Sequence, residues 1–211
     1  MRLTLPLFAA FGLSLTACGP DKSHVERSRT YKATVADVYP HVADMRKFVV
    51  WSPWSGRDPS MTQEFSDPSS GLNAWYSWKG NDDVGSGKMT ITKADEGKTV
   101  VQKLEFFEPW EGVAEATFVV TAEGDDTKVT WSFDQDLDTM GKVMGMFMDM
   151  DAMIGGDYEA GLANLDKEVA KTVEARVKKE AEEAAAKKAA EEAAMAAAEG
   201  ADADGDAAAP E

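Results

Sequence analysis

Thr127-Lys128-Val129-Thr130-Trp131-Ser132-Phe133-Asp134 is the stretch on which the fold turns. Strand side chains alternate between two faces, so Val129, Trp131 and Phe133 share one face and Lys128, Thr130 and Ser132 the other. One face is dry, the other wet, and the dry face needs a cover. Five earlier runs have the same strand character and end in turn chemistry. Met61–Ser66 ends at Asp67-Pro68-Ser69-Ser70-Gly71, Ala74–Lys79 at Gly80-Asn81-Asp82-Asp83, and Gly85–Lys93 at Asp95-Glu96-Gly97. Thr99–Phe107 ends at Glu108-Pro109-Trp110, and Val113–Ala122 at Glu123-Gly124-Asp125-Asp126. Turns this short join antiparallel neighbours into a meander. Only the segment from Thr139 to Leu165 is long enough to cover the dry face. The expected architecture is α+β, a curved antiparallel sheet wrapped around one long C-terminal helix.

Upstream of the meander, Val25, Arg27, Arg29 and Tyr31 alternate with Glu26, Ser28, Thr30 and Lys32, which predicts a first strand. The period then changes. Val35, Val38, Tyr39 and Val42 share a helical face between Thr34 and Asp44, with Thr34 as the cap and Pro40 limiting regularity. Met45 to Val50 predicts a second short helix, broken by Ser52-Pro53.

The covering helix is rich in methionine: Met140, Met144, Met146, Met148, Met150 and Met153, beside Val143, Phe147 and Ile154. Met140, Val143, Met144, Phe147, Met150 or Asp151, and Ile154 have helical spacing and should face the sheet. Core packing explains any single methionine. A cluster also fits a surface that accommodates variable apolar ligands, because methionine is flexible and specifies shape weakly. Gly155, Gly156 and Gly161 weaken the helix by about 1 kcal/mol each relative to alanine. They suit bending or close approach of the sheet.

The two ends differ in composition from the middle. Arg2 and the apolar run Leu3 to Leu15 are too short to span a bilayer as a helix but have the anatomy of a secretory signal. Leu15-Thr16-Ala17-Cys18 resembles the bacterial lipobox, which implies acylation of Cys18 and cleavage before it. Cys18 is the only cysteine, so no internal disulfide forms. Gly19 follows, and by resemblance to the enterobacterial sorting rule it permits passage to the outer membrane, facing the periplasm. The expected order is signal peptide 1–17, tether 18–23, folded domain 24–167, charged helix 168–199 and disordered acidic tail 200–211. The helix 168–199 is built of Ala, Glu and Lys, with Val169, Val173 and Val177 as a narrow apolar stripe. The net charge of −16 would repel nucleic-acid phosphates and anionic headgroups, which excludes nucleic acid as a partner.

Several pieces of the middle, in order, resemble the SRPBCC superfamily, in its branch of polyketide cyclase/dehydrase and lipid transport proteins. They are Trp51-Ser52-Pro53-Trp54, Asp58-Pro59-Ser60-Met61, Trp78-Lys79-Gly80-Asn81, Val84 through Ile91, Val129-Thr130-Trp131-Ser132, and Asp157 through Leu165. The resemblance implies the helix-grip fold: seven strands around the long helix, two short helices after the first strand, and an apolar cavity between. It gives Trp78, Met89, Phe106, Trp110, Trp131, Met140, Met144 and Phe147 as candidate lining residues. Trp110 lies on a loop and is the candidate for the cavity mouth. Trp78 and Asn81 equally read as a core ring and a tight turn.

Catalytic groups are not legible. Cyclase chemistry needs a group poised near neutral pH. His24 lies at the domain edge, and His41 lies off the apolar stripe of its helix, as a structural histidine would. Gln102, Glu105 and Glu115 fall on strands, facing either the interior or solvent. No cofactor is implied, and two histidines with one cysteine exclude a histidine-rich or thiol metal site. Three functions stay open: an anchored envelope protein binding a lipid or other apolar small molecule, a cyclase/dehydrase-type enzyme, and an envelope module that binds a protein partner through its C-terminal helix. If the anchor is right, Cys18→Ser moves the protein from the membrane fraction to the soluble fraction. A variant that still sediments with membranes removes the anchor from the reading.

Overall fold

Alternation and turn chemistry produce the expected strands in the computed structural model, which describes residues 22–137 and 149–203. The elements are β1 (Lys22–Tyr31), α1 (Val35–Ala43), α2 (Met45–Trp51), β2 (Thr62–Phe65), β3 (Trp75–Lys79), β4 (Ser86–Asp95), β5 (Thr99–Glu108), β6 (Gly112–Glu123), β7 (Asp126–Asp136) and α3 (Met150–Ala203). Strands β2 to β7 form the meander, and β1 returns to pair with β7, giving the order β1-β7-β6-β5-β4-β3-β2. All neighbours are antiparallel. The helix-grip architecture is present, with α1, α2 and α3 against the inner face. Cys18 and the leader, the stripe residues Met140, Val143, Met144 and Phe147, and the tail 204–211 lie outside the described residues.

Residues with helical spacing decide which face of α3 turns inward. Tyr158, Leu162, Leu165 and Val169 are buried, and each such side chain contributes about 1.5–3 kcal/mol by leaving water. Ile154 packs at the margin of this stripe, but Met153 is 52% exposed. Five residues separate it from Tyr158, which places it about 140° around the helix. β1 holds the same helix by polar contacts. Arg27 donates to the carboxylates of Asp151 (2.9 Å) and Glu159 (2.8 Å), Arg29 to Asp166 (2.7 Å), and the Tyr31 hydroxyl to the Leu162 carbonyl (3.0 Å).

Close approach is permitted by glycine. A Cβ on Gly161 would lie 2.9 Å from the Trp131 ring and 3.1 Å from Pro53, whereas one on Gly156 would meet nothing within 4 Å. Gly161 thus lets the helix backbone rest on the sheet. Gly156→Ala should raise stability by about 0.5–1 kcal/mol through helix propensity. Gly161→Ala should lower it by about 1–3 kcal/mol through overpacking. Urea denaturation of both variants checks the pair, and equal gains would show that the helix is not pressed on Trp131.

Beyond residue 167 the helix still packs on the domain, against α1. The buried ring of His41 lies 2.9 Å from Thr172 Oγ1, and Arg176 donates to Asp37 at 2.9 Å. Asp37 also accepts from the backbone amide and hydroxyl of Thr34 at the start of α1. Burial holds the His41 pKa below its ordinary 6.5, Lys47 acts the same way, and Glu168 opposes. At neutral pH the folded protein therefore keeps His41 uncharged. The unfolded chain takes up a proton near pH 6.5, where the folded one does not. Stability present above that pH is lost as pH falls toward the depressed folded value. Urea titrations between about pH 7 and 5 should show this loss, and His41→Gln should flatten it. Identical slopes in parent and variant would refute the linkage.

Candidate functional site

Strand register places the inner-face side chains in rows. Gln63, Trp78, Gly87, Phe106 and Gly112 form one row, and Phe65, Tyr76, Met89, Leu104 and Ala114 the next. Ile91, Gln102, Ala116, Phe133 and Val25 follow, then Val100, Phe118, Trp131 and Arg27. On β2 through β7 these inner positions carry no Asp, Glu, His, Lys or Arg. Three of the sequence-derived candidates, Trp78, Met89 and Phe106, meet in the first two rows.

Their packing is aromatic. Phe65 stacks on Tyr76 (5.3 Å between centroids), Tyr76 on Trp78 (5.6 Å), and Phe106 meets Trp78 edge-on (6.2 Å). The Trp78 ring covers Gly87, where a Cβ would lie 2.5 Å from it, and its indole N–H donates to the Val84 carbonyl. Tyr76, Met89 and Leu104 are buried, while Trp78 and Phe106 are half-buried. The β4–β5 ladder breaks register at Ser86/Gly87 and again at Ile91/Lys93, on either side of this patch. Such bulges bend strands and re-aim side chains. Burial pushes the Tyr76 phenol up to about 12, and Gln63 donates to its oxygen. Tyr76 is thus uncharged at neutral pH, with its oxygen as the acceptor in that bond.

Trp131 belongs elsewhere. It lies between Phe118 (5.0 Å) and Tyr158 (3.7 Å, planes 10° apart), with Phe48, Trp51 and Trp54 edge-on. Helix α3 and α2 thus fill the sheet face around it. Trp110 sits on the β5–β6 loop, 78% exposed, beside the Phe106–Gly112 pair that closes this hairpin. Candidates Met140, Met144 and Phe147 fall outside the described residues.

Of the strand polar residues, Gln102 points inward and is 0% exposed. Both atoms of its side-chain amide lack a hydrogen-bond partner among the described residues, as does the Trp131 indole N–H. Glu105 faces outward to Lys103, and Glu115 is exposed. His41 is engaged by Thr172 and lies off the patch. Local alternation places Gln102 beside Val100 and Leu104; its lack of a partner, and the roles of Tyr76 and Tyr158, depend on contacts distant in sequence.

The short motifs are structural. The Asp58 carboxylate accepts from the amide and hydroxyl of Ser60 and from the Asn81 amide. These bonds hold its pKa below the usual carboxylate value. A Cβ on Gly80 would strike Val84 and Asp58, so glycine is required there. Asn81 accepts from the Asp83 amide in a tight turn. Trp51 donates to the His41 carbonyl, Asn164 to the Trp51 carbonyl, and Arg57, next to Asp58, pairs with Asp157. No group of three or more potential metal ligands occurs among the described residues, and none of their helices is long and apolar enough to cross a membrane.

Comparison with known proteins agrees with this geometry. Solved structures with the same fold include a protein from Chromobacterium violaceum (TM-score 0.51, 10% identity, 69% of this chain and 96% of that one). A protein from Rhizobium loti aligns with TM-score 0.53 and 17% identity over 70% of this chain and 96% of its own. The Aha1 dimer from Colwellia psychrerythraea aligns with TM-score 0.50 and 17% identity over 70% and 96%. Comparison with curated protein sequences gave no match. The family model described as polyketide cyclase / dehydrase and lipid transport matches residues 22–170. With the helix-grip sheet, the motif pairs around Asp58 and Trp51, and this match over most of the chain, the protein belongs to the polyketide cyclase / dehydrase and lipid transport family.

Proposed function

We propose that this is a lipid-anchored, non-enzymatic envelope protein that holds an uncharged apolar molecule against the patch of Trp78, Tyr76, Met89, Leu104 and Phe106. The observation that carries the reading is the chemistry of the inner positions: from β2 to β7 none bears a charge or a histidine. Such a surface favours apolar guests and supplies no general base. That weighs against the cyclase reading, for which Tyr76, with its raised pKa, is a poor base.

An anchor at Cys18 would also lie close to the site. Lys22 pairs with Asp136, so β1 starts at the end of the sheet where Phe106 meets Gly112. Cys18 precedes Lys22 by four residues, a reach of at most about 14 Å. An acylated Cys18 would therefore hold that end of the sheet toward the bilayer. Phe107, Trp110 and Val113 are exposed there, at 51, 78 and 56%. An aromatic with one polar edge suits a membrane interface. An apolar guest then passes between bilayer and protein with little exposure to water. Acyl chains supply the attachment, because the net charge of −16 opposes attraction to anionic lipid. The Ala/Glu/Lys helix beyond Arg176 is left as the surface for a protein partner in the envelope.

Native mass spectrometry of the protein extracted from its membrane should reveal a bound apolar adduct. Displacement of the neutral probe N-phenylnaphthylamine should give a dissociation constant that Phe106→Ala weakens about tenfold, through lost apolar contact. A protein that carries no adduct and binds no probe is not an apolar carrier.

A further inference from the structure

Two polar side chains at inner positions are fully buried, Gln102 and Thr127; Thr127 donates to the Ala33 carbonyl, whereas the Gln102 amide is unpaired among the described residues. Leaving such a group unsatisfied is costly, so buried amides ordinarily find partners. Its cross-strand neighbours, Ile91 and Ala116, are apolar and offer no hydrogen bond from their side chains. Ala114 and Ala116 present only methyl groups on the part of β6 opposite Leu104 and Gln102. The register break at Ile91/Lys93 begins at the residue paired with Gln102. Bulges concentrate at functional positions, where they redirect a side chain. Met89 and Leu104 belong to the adjacent row, so the amide borders the apolar patch.

The geometry points to Gln102 as the polar contact of the bound molecule, which is an apolar body carrying an uncharged hydroxyl. This rests on the carrier reading above. The chemistry follows from the amide, which offers a carbonyl acceptor and an NH2 donor at one place. A hydroxyl both donates and accepts and can use both. An ether or ester only accepts, and an alkane does neither. A charged headgroup is excluded from this position, because no inner position of β2 through β7 supplies a counter-charge and burial of an unpaired ion is prohibitive. Phosphate or carboxylate groups would have to remain outside, toward the Trp110 end.

The test is displacement of N-phenylnaphthylamine from the full chain by decanol, decyl methyl ether, decane and naphthol. The parent should prefer decanol to its methyl ether by about tenfold, the worth of one well-made hydrogen bond. Naphthol against decanol then tells an aromatic alcohol from an aliphatic one, while the preference for decanol over its methyl ether is the result that supports the assignment. Gln102→Met, similar in shape but without the amide, should abolish the preference, retain decane binding and raise the unfolding midpoint. A parent that binds all the ligands without preferring the alcohols overturns the assignment and leaves the carrier reading intact, as expected if the amide merely holds an internal water. Equal preference in parent and Gln102→Met also overturns it. Failure of every ligand and of the probe to bind removes the carrier reading itself. The parent's preference is decisive even if the variant does not fold.

Discussion

The rest of the structure depends on the stack of Tyr158 on Trp131. The rings lie 3.7 Å apart and nearly parallel, with Phe118 on the opposite side of Trp131. This stack fixes the rotation and height of α3 over the sheet, and Gly161 makes that height possible. Phe48, Trp51 and Trp54 close around the same indole, so α2 and the loop after it are placed by the same contact. Aromatic pairs in this arrangement are worth about 0.5–1.5 kcal/mol each beyond the area they bury. Sharing one central ring also makes them mutually dependent. Displacing Trp131 would release the helix, the loop and α2 together.

The same arrangement divides the inner face. Around Trp131 the sheet is filled by helices and aromatic rings. Toward Trp78 and Phe106 the inner positions belong to sheet residues with uncharged side chains, and a knot of hydrogen bonds at Asp58 braces that end. Asp58 ties the segment before β2 to the turn after β3. The Trp78 indole bond to Val84 fixes the ring that covers Gly87. The family motifs therefore act as supports, tying the segment before β2 to the turn after β3 at Asp58 and α2 to α3 at Trp51. In these bracing roles they identify the fold far better than they identify a chemistry.

The fold was legible because its signals are local. Alternation in residues 127–134 and 25–31, the turn residues between strands and the change of period after Thr34 each depend on near neighbours, and each reappears in the structure. The site was legible only in part. Trp78, Met89 and Phe106 share a patch because each lies in phase on an apolar strand face. Trp131 shares that phase but is claimed by Tyr158, a contact 27 positions away that no periodicity announces. Of the expected stripe on the covering helix, Met150 and Ile154 lie among the described residues and are half-buried, while Met140, Val143, Met144 and Phe147 lie outside them. The glycines and Tyr158 set the inward face of α3, leaving Met153 in water. Gln102 had a legible direction, since it sits between Val100 and Leu104, but the absence of a partner is a property of three dimensions.

Two fixed points then constrain how the domain meets its surroundings. One is the start of β1, where pairing of Lys22 with Asp136 holds the chain at the Phe106 end of the sheet. The other is the clasp of Asp37 and His41 on Arg176 and Thr172, which holds α3 on α1 well past the last buried leucine, Leu165. From Arg176 to Ala203 the helix continues with its side chains largely in solvent as far as Met195, a further length of about 40 Å. Its exposed i,i+4 Lys–Glu pairs each add only a few tenths of a kcal/mol, so the direction of this rod is set by the clasp and the continuous helix. Weakening the side-chain contacts of the clasp would free the direction of the rod without disturbing the patch beside Gln102, which includes no residue of α1, while Trp51 would keep its bond to the main-chain carbonyl of His41 beside Trp131. The sheet patch and the direction of the rod are thus mechanically separable in this protein, because the patch is built from β3, β4 and β5 and the rod is held by α1.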